Sequence, residues 1–321
     1  MQLRFLLPSL AAATLMHAAN PAEALRGWSA FENLDLDNLA KGKVVTEANP
    51  SMDFARGISV QAVYVVAAPL EVAARVLLTS DPTRHKELEV YQHRSFQNER
   101  GAEFDKLKLD SQLAPVRKLL DVVKSREGLH LSREENARLP RGPVLEEVQR
   151  FCSAILRDRW TQFAQHGEFG RSEPFDLRGE IRSLLAAEPK LAGHFDTLLS
   201  PLTQPGASGA PTGYYWNVAN VDKTATLELG AVYTHTSGAS RQVLETTFFA
   251  SSGYLASLTF YELHPIALDG QPRTLVWQGS LVSSEQLAGA FGLKHQIASR
   301  MMASDLEDSV HIFQKDAASA R

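Results

Sequence analysis

Acid–base chemistry needs a carboxylate or an imidazole held away from bulk water. A few residues of this sequence have the right types for it. His235 closes "AVYTH" on the parity of Tyr233, while Glu262 and His264 close "TFYELH". His235 and Glu262 are the candidates for a general acid or base, against an ordinary expectation that strand-end histidines face water. Arg241 and Glu245 share one parity in "RQVLETTFFA" and read as a solvated outer pair. His85, Glu87, Glu89 and His93 cluster in "HKELEVYQH", but they spread over a loop and a strand, whereas metal ligands must converge; no metal is expected. A second constellation is aromatic. Tyr64, Tyr233, Phe248, Tyr254, Phe260 and Trp277 fall on inward strand parities. Packed together they make ordinary core. Around a cavity, the Tyr and Trp polar atoms are the few placed groups a ligand site needs. His235 and Met301 complete this candidate ligand-binding set.

Other chemistry is missing from the sequence. It has no G-x-G-x-x-G, no P-loop, no H-E-x-x-H and no G-x-S-x-G, since "GASGA" carries glycine at the wrong offset. No cofactor is implied. The single cysteine, Cys152, makes neither a thiolate zinc site nor an intrachain disulfide; in "VQRFCSAILRDRW" it reads as buried packing. The net charge is −4 and the longest basic cluster is "KLK" at 106–108, which argues against a nucleic-acid partner.

The elements that would position these residues follow from periodicity. Met1–Arg4 is basic, "FLLPSLAAATLM" is apolar and "AEA" offers small residues, so 1–24 is expected to be a secretory signal peptide cleaved after Ala24. That apolar run is shorter than the roughly 20 residues a spanning helix needs, and no later stretch is apolar enough. A periplasmic or secreted location follows. A polar arm occupies 25–56, with "KVVTEA" as an edge strand. In "GISVQAVYVVAAPLEVAARVLLTSDP" an alternating strand passes through Pro69 into a helix that stops before Pro82. "HKELEVYQHRSF" returns to strand, with "EFDKLKLD" as its partner. From 111 to 205 the pattern is amphipathic helix, read as a helical insertion and a possible surface for a protein partner. From Tyr214 the chain alternates again in an antiparallel meander. A long helix is expected from Ser284, as its N-cap, to about Lys315.

The order is a strand, a Pro-initiated helix, a "DP" stop, antiparallel strands and a long last helix. It resembles the START-like helix-grip superfamily, also called SRPBCC, on "VQAVYVVAAP", "LEVAARVLL" and "SDP" and on 225–315. The resemblance implies an α+β fold in which a curved antiparallel sheet grips the C-terminal helix, with 57–110 and 206–321 forming that domain and 111–205 inserted in it. It implies a hydrophobic small molecule or lipid bound between sheet and last helix. A filled-core interaction module, or a cyclase or hydrolase on the same scaffold, are the alternatives. It brings no catalytic residues with it.

Overall fold

Gly57–Val66 alternates β-branched and small residues, and both of its faces are buried in a computed structural model of the chain. The structure describes residues 21–49, 52–97, 102–142, 144–166, 176–204, 209–288 and 293–320. Most of the expected signal segment therefore lies outside the described residues; only its last residues, in a short helix α1 (Pro21–Ala24), fall within them.

The fold is α+β. One antiparallel sheet of eight strands has the order β1-β2-β8-β7-β6-β5-β4-β3. The strands are β1 (Val45–Asn49), β2 (Gly57–Val66), β3 (Val90–Phe96), β4 (Gly213–Val221), β5 (Thr224–Ser237), β6 (Ser240–Ala250), β7 (Ala256–Leu268) and β8 (Gln271–Ser283). Strands β5 to β8 are the expected meander, each paired with the next and with β4 added ahead of β5, and "KVVTEA" supplies the edge strand β1. Strand β2 pairs with β8 near one edge, whereas β3 pairs with β4 at the other. The chain between β2 and β3 must therefore cross the whole sheet. It does so through helix α3 (Leu70–Thr79) and two short 3-10 turns.

Helix α3 is bracketed as its sequence requires. Pro69, at φ −60° and ψ 154°, occupies its N-cap, and Ser80 is extended ahead of Asp81–Pro82. Asp81 then accepts from the Thr83 backbone N–H at 3.1 Å, which fixes the next turn. Two expectations fail locally. "EFDKLKLD" is no strand; Ala102–Lys106 is a 3-10 turn, because β3 already has β4 as its partner. Ser284 caps a 3-10 turn at Glu285–Leu287, and the terminal helix begins later, as α10 (Leu293–Ser319).

The sheet is buried on both faces, which makes three layers. On one face lie α4 (Ala114–Ser125), α5 (Arg133–Ala137), α6 (Leu145–His166), α7 (Leu177–Ala187), α8 (Pro189–His194) and α9 (Asp196–Thr203), after the short α2 (Leu36–Ala40) of the arm. Leu119, Ile155, Trp160, Phe163 and Phe195 of this layer share one core with Leu229, Phe248, Phe260 and Trp277 of the sheet. Each such side chain contributes roughly 1.5–3 kcal/mol on burial. Cys152 belongs to this core, as expected, and burial pushes its thiol up to about 12. A charged pair sunk deep in this layer is bidentate: Arg159 Nε and Nη2 donate to Glu135 at 2.7 and 2.6 Å. On the opposite face, α3 and α10 pack on Ile58, Val60, Ala62, Tyr64 and Val66 through Ala73, Leu306, Val310 and Ala317.

Candidate functional site

Polar residues on the α10 side of the sheet build the site, row by row across the strands. In one row Tyr215 of β4 faces Gly230 of β5, which faces Thr247 of β6. A Cβ at position 230 would collide with the Tyr215 ring. Glycine therefore lets that ring lie across β5, and the Tyr215 hydroxyl reaches Thr247 Oγ1 at 2.9 Å. The neighbouring row is His93, Asn217 and Glu228. His93 Nδ1 donates to Asn217 Oδ1 at 2.7 Å, and Asn217 Nδ2 donates to Glu228 Oε2 at 2.9 Å. The Tyr254 hydroxyl completes the chain on Glu228 Oε1 at 2.8 Å. Towards β2, the Tyr64 hydroxyl donates to Gln278 Oε1 at 3.1 Å, and the Gln278 amide approaches the Tyr261 hydroxyl at 3.5 Å.

These rows floor a cavity of about 290 Å³. Leu77 and Leu78 of α3, Leu88 of the crossing segment, and Ile312 and Phe313 of α10 form its apolar wall and roof. The roof is tied down near its end. Gln314 Nε2 donates to the Val65 carbonyl at 2.9 Å, His85 Nε2 lies 2.8 Å from Asp316 Oδ2, and the Phe313 ring stands edge-on to Tyr64.

Glu245 of β6 opens into this cavity, between Val232 and Thr259 in register. It makes no hydrogen bond or ion pair with any described residue. Burial alone pushes its carboxyl up to about 7. Burial also raises Glu228, although hydrogen bonds from Asn217 and Tyr254 work against it. The Tyr64, Tyr215 and Tyr261 hydroxyls are raised well above their ordinary value by the same desolvation, so they stay neutral donors.

The expected site residues divide between the two faces. Tyr64 lines the cavity, and Tyr254 braces its floor through Glu228. Tyr233, Phe248, Phe260 and Trp277 do not reach it; they face the helical layer. His235 is half-buried near the end of β5, opposite Gln242 and outside the cavity lining. Met301 lies on the outer side of α10, 63% exposed, and is not part of this cavity's lining. The correction has one cause. Parity says that a residue is buried, and here both faces are buried. Arg241 and Glu245 are corrected too: Arg241 pairs with Glu71 of α3 at 3.1 Å, and Glu245 faces the cavity rather than solvent.

The proposed acid–base couple is not brought together. Glu262 points to the helical layer, where His194 Nε2 lies 2.5 Å from it, Ser240 Oγ donates at 3.1 Å and His264 Nε2 stands 3.6 Å away. Trp28 stacks on His194 at 3.8 Å, closing this cluster from the arm. Burial works to raise Glu262, but the His194 bond and the neighbouring imidazoles outweigh it and hold the carboxyl below its ordinary value. The cluster pins the helical layer to the sheet. Among the described residues no group of three or more His, Cys, Asp or Glu is placed to hold a metal ion. No helix of the described residues is long and apolar enough to cross a membrane.

Fold and site together define an α+β protein with a part-polar cavity beneath its last helix. No family model matches the chain, and neither a curated protein nor a solved structure matches it.

Proposed function

We propose that this chain is an exported START-like helix-grip protein that binds an amphipathic small molecule or lipid between its sheet and α10. The carrying observation is the cavity itself. It has an apolar roof from α3 and α10 over a floor of hydrogen-bonded Tyr, Gln, Asn and Glu side chains. Ligand sites tend to pair such an apolar wall with a few oriented polar groups. A C-terminal helix lying on a curved antiparallel sheet is compatible with the helix-grip arrangement, and the leader-like segment at 1–24 supports export. The added helical layer shields the second sheet face and leaves the cavity free. The polar floor narrows the ligand from wholly apolar to one with a hydrogen-bonding head.

The test is a titration with 1-octanol followed by backbone amide NMR. Saturable shifts are expected in β4–β6 around Tyr215, Gly230 and Glu245, and in α10 around Ser309–Phe313. Shifts confined to the helical layer, or none, would overturn the reading.

A further inference from the structure

A cavity built only for an alkyl chain and a neutral polar head has no use for a carboxylate without a partner. Burying a charge unpaired is costly, and folds normally supply a cation or several donors. Glu228, in the same wall, has both Asn217 and Tyr254. Glu245 has neither, and its carboxylate opens on the cavity. Among the described residues no Lys or Arg lines that space. Around it stand the rings of Tyr64, Tyr215, Tyr261 and Phe313. Aromatic faces beside an acid make a favourable seat for an ammonium group, which is attracted to both.

We propose that the ligand carries an organic ammonium head, for which Glu245 is the counter-ion and the surrounding aromatic rings are the cage. This rests on the cavity being the binding site. The apolar roof of Leu77, Leu78, Ile312 and Phe313 takes the tail. The remaining titratable groups facing Glu245 are few. Tyr215 comes from β4, Tyr261 from β7 and Tyr64 from β2, all neutral; His93 from β3 also lines the cavity; among the described residues α3 and α10 present no ionisable side chain to it. An ammonium head must displace the proton Glu245 holds in the empty cavity. Its affinity therefore rises with pH through neutrality, by about tenfold between pH 6 and pH 8.

Calorimetric titration of the full chain with octylammonium, 1-octanol and octanoate at pH 8 tests this. Octylammonium should bind about tenfold more tightly than octanol, with octanoate weakest. Glu245→Gln should bring octylammonium to within about threefold of octanol and flatten the pH dependence. Equal binding of octylammonium and octanol, or a preference that survives Glu245→Gln, would overturn the ammonium assignment while leaving the cavity standing. Failure of all three compounds to bind would remove the cavity reading and this one with it.

Discussion

Replacing Glu245 by Gln should stabilise the empty protein, and only where the carboxyl would ionise. The folded state holds this proton up to about pH 7, whereas the free side chain gives it up near 4.5. Below the lower value both states are protonated and the residue costs nothing. As pH rises from 4.5 the unfolded chain ionises first, and stability falls until the folded carboxyl ionises too. Each pH unit in that window costs about 1.4 kcal/mol, for a ceiling of about 3 kcal/mol. The side chain is half-buried and opens on the cavity, so water there reduces the penalty; a gain of about 1–3 kcal/mol for the variant at pH 8 is expected. Urea unfolding followed by circular dichroism at pH 5 and pH 8 measures it. The variant should gain little at pH 5 and most at pH 8. A variant less stable than the parent at pH 8 would mean that the carboxylate makes a favourable contact, and the argument for an unpartnered acid would fail.

Two further changes probe the architecture around the cavity. Gly230→Ala puts a Cβ into the Tyr215 ring; the cost should be about 1–3 kcal/mol, with the Thr247 bond lost and octanol binding weakened, and normal stability would show that the ring has another place to lie. Glu262→Gln leaves one acceptor oxygen where the carboxylate offers two, one to His194 and one to Ser240, and should cost about 1–3 kcal/mol near neutrality. Because that carboxyl is held below its ordinary 4.5, the deficit should persist above that pH and vanish as the folded carboxyl is protonated further down. Thermal melts from pH 3 to pH 7 would show the convergence, and a deficit constant across the range would contradict it.

Strand β2, helix α3 and the meander are legible because each states its own boundaries. Alternation marks the strands, Pro69 opens α3, and Ser80-Asp81-Pro82 closes it. The start of α10 is misread because Ser284 is a good cap for any short turn and here caps a 3-10 turn. The site is read on the wrong face for a deeper reason. In a two-layer protein the polar parity of a strand faces water, so Arg241 and Glu245 look solvated and Trp277 looks like the cavity wall. Here α4–α9 cover one face, and α3 with α10 roof the other. The apolar parity of β5–β8 goes to the helical layer, and the polar parity goes to the cavity. Tyr64 is placed correctly because β2 is buried on both sides and its hydroxyl finds Gln278 on the cavity side. The one available signal was composition: Tyr215, Asn217, Glu245, Tyr261 and Gln278 recur on one parity of four strands. Aromatic hydroxyls interleaved with amides and acids suit an enclosed polar floor better than a solvated face.

The most direct test of the account fills the cavity and asks whether binding goes. Ser309 of α10 faces the cavity from the roof, and its hydroxyl donates to the Leu306 carbonyl of its own helix. Ser309→Trp should occupy the space without disturbing the floor. Calorimetry with 1-octanol should give saturable one-site binding to the parent chain and none to a Ser309→Trp variant whose circular dichroism is unchanged. Equal binding to both, or none to the parent, would contradict a ligand held beneath α10.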